Sequence, residues 1–118
     1  MNPRPTKVEK IVSHCKSLRD KKVVIPSNLP EGISIQDFSQ VRWVPKPWGF
    51  EIWLVAEKNL PYALKMIYVQ QGTKMSLQYH RTKEEHHVVL AGTLKLHYQP
   101  AGQEKVTAAI FTEGSIIQ

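Results

Sequence analysis

The chain has 118 residues, 42% of them hydrophobic, and 16 Lys and Arg against 10 Asp and Glu, for a formal charge of +6 and a pI of about 9.6. That length suits one domain with its own core, and the apolar content argues against intrinsic disorder. A single cysteine, Cys15, excludes an internal disulfide, no run approaches the ~18 apolar residues of a membrane span, and no signal-type stretch opens the sequence, so a cytoplasmic protein without membrane contact is expected.

The charge is uneven. Residues 1–22 carry Arg4, Lys7, Lys10, Lys16, Arg19, Lys21 and Lys22 against Glu9 and Asp20, a net of +5, which leaves +1 for the rest. The first expected element lies in this basic segment. Val8, Ile11, Val12, Cys15 and Leu18 recur at spacings of three and four and predict a helix over 7–19 with one apolar stripe. Thr6-Lys7-Val8-Glu9 reads as a capping box at its start. Cys15 sits on the stripe and is expected to be a buried small apolar residue, whereas His14 lies off it and should be exposed. The lysines then form a solvated helix face.

Val23-Val24-Ile25 suggests a short strand, and Pro26–Gly32 a turn-rich connector, so residues 1–40 are expected to stand as a basic helix and connector ahead of a body at 41–118. From residue 41 short segments rich in β-branched and aromatic residues alternate with turn residues. Strands are expected at about 41–44, 50–56, 62–70, 74–80, 86–91, 93–99, 105–111 and 115–118. Ala91-Gly92 and Pro100-Ala101-Gly102 fit hairpin turns. Many short strands with tight turns predict a mainly β fold, a sandwich or small barrel, behind a short N-terminal helix.

The stretch richest in chemistry is Gly72–Gly92. Gln78 and His80 are two apart on an expected strand and so share a face. Glu85 opens the returning strand after a turn and can bring a carboxylate opposite them. One imidazole and two oxygen donors suit a borderline divalent ion such as zinc, iron, manganese or nickel. His87 alternates onto the Glu85 face, and His86 points the other way. Lys95 and His97 read as the solvent face of a hairpin, and Trp43, Trp48 and Trp53 as packing or loop-anchoring residues before sugar-stacking ones.

The spacing resembles a family pattern. Gly72, five residues, Gln78-x-His80, four residues, Glu85, six residues, Gly92 is similar to the first cupin motif, with Gln in place of its first His. Val44-Pro45-Lys46-Pro47-Trp48-Gly49, Lys65-Met66-Ile67-Tyr68-Val69, Met75-Ser76-Leu77-Gln78-Tyr79-His80 and Glu85-His86-His87-Val88-Val89 resemble, in register, segments of the C-terminal domain of type II mannose-6-phosphate isomerases, the family of bifunctional mannose-1-phosphate guanylyltransferase/mannose-6-phosphate isomerases. With the second continuing to Gly72 and the last to Gly92-Thr93, these segments fall within residues 44–93. The departures are Arg81-Thr82-Lys83, where the family has His-His-Arg, and His87, where it has Trp. The family's second motif would open at Gly114, with 115–118 as its next strand, and its Pro, turn Gly and fourth ligand His are not among the 118 residues.

The resemblance implies a cupin jelly-roll β-barrel at 41–118 and a divalent metal, zinc in the family, held by Gln78, His80 and Glu85. It implies isomerisation between an aldose and a ketose sugar phosphate, with Lys65, which matches a family lysine, facing the substrate, and it nominates no general base. His87, on the Glu85 face by alternation, is expected to contact the substrate or to stand in for the missing imidazole. The implied partner is a sugar phosphate or nucleotide-sugar rather than nucleic acid. A barrel ending at Gln118 would leave an unpaired edge, which a homodimer would cover. Two alternatives stay open. One is a non-catalytic cupin that binds a small sugar or anion; the other is an interaction domain working through the basic helix.

Overall fold

The computed structural model describes residues 4–73, 86–98 and 107–117. They form one helix and seven strands, α1 (Lys7–Arg19), β1 (Arg42–Lys46), β2 (Gly49–Val55), β3 (Leu64–Val69), β4 (His87–Val88), β5 (Thr93–Tyr98), β6 (Thr107–Thr112) and β7 (Ile116–Ile117). The fold is mainly β with one N-terminal helix, as expected. Among the described residues the strands form three separate antiparallel sheets, β1-β2-β3, β4-β7 and β5-β6, and no closed barrel. No helix among them is long and apolar enough to cross a membrane. The chain divides into two compact units, Met1–Lys10 with Ser76–Gln118, and Ile11–Met75.

Helix α1 spans the predicted 7–19. Its five stripe residues, Val8, Ile11, Val12, Cys15 and Leu18, are its only residues that are not exposed, and Cys15 is buried. The N-terminus is capped as the sequence implies. The Glu9 N–H donates to Thr6 Oγ1 at 3.1 Å, and the Lys10 N–H reaches the Thr6 carbonyl at 2.9 Å. The Glu9 carboxylate does not reach back to the backbone. It accepts instead from the Thr6 hydroxyl at 3.1 Å, which orients that oxygen toward the helix.

In the unit Ile11–Met75, Val23-Val24-Ile25 is not a strand. It has no ladder partner among the described residues and is 45%, 90% and 51% exposed. β-Branched composition gives a strand only where a pleated surface is available to pack on. Its Val23 N–H is taken by the side chain of Asp37, which also caps a single 3-10 turn at Phe38–Gln40.

β1 and β2 are joined by a two-residue turn at Pro47-Trp48, which fixes the register Lys46↔Gly49 through Arg42↔Trp53. β1 runs two residues further than expected and includes Pro45. An edge strand tolerates a proline, since one of its sides needs no N–H, and β1 is an edge of its sheet among the described residues. One face of this sheet carries Trp43, Phe50, Ile52 and Tyr68. The Trp43–Phe50 and Phe50–Tyr68 ring centroids are each 5.1 Å apart, and Ile52 is 2% exposed. Arg19 of α1 lays its guanidinium 4.7 Å from the centre of the Trp43 ring.

Gly49 is where the backbones come closest. A Cβ there would stand 2.1 Å from the Tyr68 carbonyl oxygen, and φ is +153°. Beside it, Trp48 is buried, and its carbonyl accepts from the Gln70 N–H at 2.7 Å and the Thr73 hydroxyl at 3.0 Å. The hairpin tip is thus tied to the turn that follows β3.

In the other unit, β5 pairs with β6 from Thr93↔Thr112 to Tyr98↔Thr107, and β4 pairs with β7 through His87↔Ile117 and Val88↔Ile116. β4 does not pair with β5, so Ala91-Gly92 is not a hairpin turn. Gly92, at φ +86°, instead passes the chain from one sheet to the next. The outer pair is continued by the Val89 N–H to the Ser115 carbonyl at 3.0 Å and the Gly114 N–H to the Val89 carbonyl at 2.8 Å. The result is a hairpin nested inside a second antiparallel pair. The first turn of α1 belongs to this unit: Lys7 Nζ meets Glu113 at 2.8 Å, an exposed pair worth at most about 1 kcal/mol.

Candidate functional site

The expected metal ligands Gln78, His80 and Glu85 lie outside the described residues, as does the expected strand at 74–80. Among the described residues no group of three or more His, Cys, Asp and Glu side chains converges as a metal site would require. His86 and His87 are exposed, and His87 opens β4 opposite Ile117. Lys95 and His97 are exposed on β5, while Leu94 is half-buried, which matches the expected solvent face of the hairpin.

Lys65 lies in the other unit, and the structure gives it a setting that the sequence reading missed. Arg42, Trp53 and Lys65 are directly opposite one another on β1, β2 and β3, so their side chains rise from one face. The Lys65 ammonium lies 4.5 Å from the centre of the Trp53 ring, and the Arg42 guanidinium 4.9 Å from it. Both are cation–π contacts, worth about 0.5–1 kcal/mol each at exposed positions. Trp53 is half-buried, and both cations are exposed.

The ring is fixed by a third residue. Glu51, two positions back along β2 and so on the same face, is 7% exposed, and its Oε1 accepts from the Trp53 indole N–H at 2.8 Å. The register of β2 against β3 shifts directly after Trp53, where Lys65 faces Trp53 and Leu64 faces Val55 with Leu54 as the extra residue. Such a bulge turns the strand and ends the regular alternation beside this cluster.

The signal for part of this cluster was in the sequence. A two-residue turn at Pro47-Trp48 dictates Arg42 opposite Trp53 and Val44 opposite Glu51. The position of Lys65 needed the register across the longer connection 56–63, which no turn motif fixes. Trp48 anchors its loop and Trp43 packs against Phe50, so packing is the main role of these two tryptophans. Trp43 keeps one irregularity, a buried indole N–H without a hydrogen-bond partner among the described residues.

Comparison with protein families decides the relationship. The model of the mannose-6-phosphate isomerase C-terminal family matches residues 34–110, about two thirds of the chain. The chain belongs to that family. The mannose-6-phosphate isomerase C-terminal match takes in β1 to β5 and the first residues of β6, and with them Lys65, Gln78, His80, Glu85 and His87. No curated protein and no solved structure matches the chain significantly.

Proposed function

We propose that the chain is a mannose-6-phosphate-isomerase-type cupin that interconverts the aldose and ketose forms of a sugar phosphate, in the service of nucleotide-sugar and polysaccharide synthesis. One observation carries this reading: the family match over residues 34–110 encloses Gln78-x-His80 and Glu85 at the first cupin motif's spacing. The nesting of β5-β6 inside β4-β7 supports a jelly roll, in which one long antiparallel ribbon is folded over on itself.

Gln78, His80 and Glu85 would hold the metal, since an amide oxygen, an imidazole and a carboxylate form a donor set suited to zinc and its neighbours. Bound there, a divalent ion supplies polarisation of the sugar's carbonyl oxygen. Lys65 and His87 are the residues assigned to the substrate. Lysine offers a point charge to a phosphate, and the imidazole on the Glu85 side of its strand offers a hydrogen-bond donor or acceptor.

The test is metal content and turnover on one preparation. Protein purified without chelator or nickel resin is expected to hold near-stoichiometric divalent metal and to convert mannose 6-phosphate to fructose 6-phosphate. His80→Ala is expected to lose both. A metal-free protein that binds the sugar phosphate without converting it would replace the isomerase with a binding module.

A further inference from the structure

We propose that Arg42 and Lys65, ordered on the Trp53 ring from the two neighbouring strands, form a clamp for a phosphate monoester. The inference rests on the sugar-phosphate reading above and assigns the group that recognises the phosphate.

Three observations converge. First, the two cations are ordered by one ring, at 4.9 and 4.5 Å from its centre, and the ring is held by the hydrogen bond to Glu51. Long cationic side chains normally lose considerable rotamer freedom when they bind a ligand, and here part of that ordering is already made. Second, neither cation makes an ion pair or a hydrogen bond among the described residues, whereas Lys7, also exposed, meets Glu113. Arg42 and Lys65 are both exposed, and among the described residues their donors remain available to an anion. Third, the acid on this face is withdrawn from competition. Glu51 is buried, its Oε1 accepts from the indole N–H, and it forms no ion pair with either cation among the described residues.

The chemistry selects the ligand. Arginine presents a planar fork that fits two phosphate oxygens, and lysine adds a compact charge from the opposite strand. Lys46, four residues along β1 from Arg42, adds a further positive charge on this face. Two or three charges suit a single dianion. A nucleic-acid surface needs a longer row, because its affinity grows with each phosphate neutralised. Trp53 carries both cations on its ring, so it serves as their mount rather than as a sugar-stacking platform.

The experiment is a titration by calorimetry in phosphate-free buffer, with mannose 6-phosphate, inorganic phosphate, mannose and a short DNA duplex as separate ligands. Mannose 6-phosphate and inorganic phosphate are expected to bind. Arg42→Gln and Lys65→Gln are each expected to weaken both by on the order of tenfold or more. Lys65→Arg should retain most of the affinity, and circular dichroism of each variant confirms that it is folded. Wild-type affinity in both Gln variants, no phosphate binding by the native protein, or binding of the duplex alone would overturn the clamp. Metal content and turnover on the same variants separate the two readings. If the Gln variants bind sugar phosphate normally while His80→Ala loses metal and activity, the clamp fails and the isomerase stands. If phosphate binding depends on the clamp in a protein that holds no metal and converts nothing, the reverse holds.

Discussion

The Trp53 indole donates to the Glu51 carboxylate at 2.8 Å, between two side chains on the same face of β2, and this bond sets the ring on which Arg42 and Lys65 rest. Removing the acceptor leaves a part-buried donor unmade, at a cost of about 1–3 kcal/mol. Glu51→Ala is expected to lower stability by that amount in urea denaturation. Glu51→Gln keeps an acceptor oxygen and should lose less than half as much. Equal losses for the two variants would show that volume rather than the hydrogen bond is at stake.

Gly49 allows β2 and β3 to approach more closely than any side chain permits. With a Cβ placed 2.1 Å from the Tyr68 carbonyl oxygen, Gly49→Ala forces the strands apart. The expected loss is about 1–3 kcal/mol or more, read as a fall in melting temperature. Alanine at Gly32, where nothing lies within 4 Å, meets no such overlap and serves as the control, its remaining cost coming from a φ of +87°.

Asp37 links the connector to the 3-10 turn. The Ser39 hydroxyl and, next, the Val23 N–H donate to its carboxylate and hold its pKa below the ordinary 3.8. A carboxyl depressed in the folded state contributes stability that is present above the unfolded value of 3.8 and is lost as pH falls through the lower folded value. The stability gap between the native protein and Asp37→Asn is therefore expected to hold near neutral pH and to close below 3.8. A gap that stays constant across the acid limb would remove Asp37 from the titration.

Cys15 is buried, and burial pushes its thiol above the ordinary 9.0. At mildly alkaline pH it should stay protonated and react with an aromatic disulfide reagent far more slowly than the unfolded chain does. Rapid labelling of native protein would show that α1 opens readily.

Thr6 caps α1 through the Glu9 N–H, so Thr6→Ala should cost about 1 kcal/mol and Thr6→Gly only a few tenths. Denaturant midpoints of the two variants give the comparison.

Much of this was legible in the residues because the determinants are local. The helix limits follow from the Thr6 cap and the stripe at Val8, Ile11, Val12, Cys15 and Leu18, and most strand positions follow from β-branched runs between turns. The errors arose where partners decide. Val23-Val24-Ile25 has strand composition and no neighbour to pair with among the described residues, and Gly92 has turn chemistry but joins strands of different sheets. The cluster at Trp53 was hidden for a related reason, since its third member, Lys65, arrives by a register that a loop sets and no motif announces. Gln78, His80 and Glu85 are nominated by spacing and resemblance, and they lie outside the described residues, within the span that the family match covers.

The nested strand pairs also prescribe an order of assembly. β5 and β6 are close in sequence and can zip locally, whereas His87 and Ile117 stand at the outer ends of the same stretch. Once the inner hairpin is formed, the gap that β4 and β7 must close shrinks to the short connections on either side, and the entropy of that closure falls with it. The outer pair therefore inherits its alignment from the inner one. A change that slips β5 against β6 by one residue would misalign β4 and β7 as well, so a lesion in the hairpin would be felt at His87.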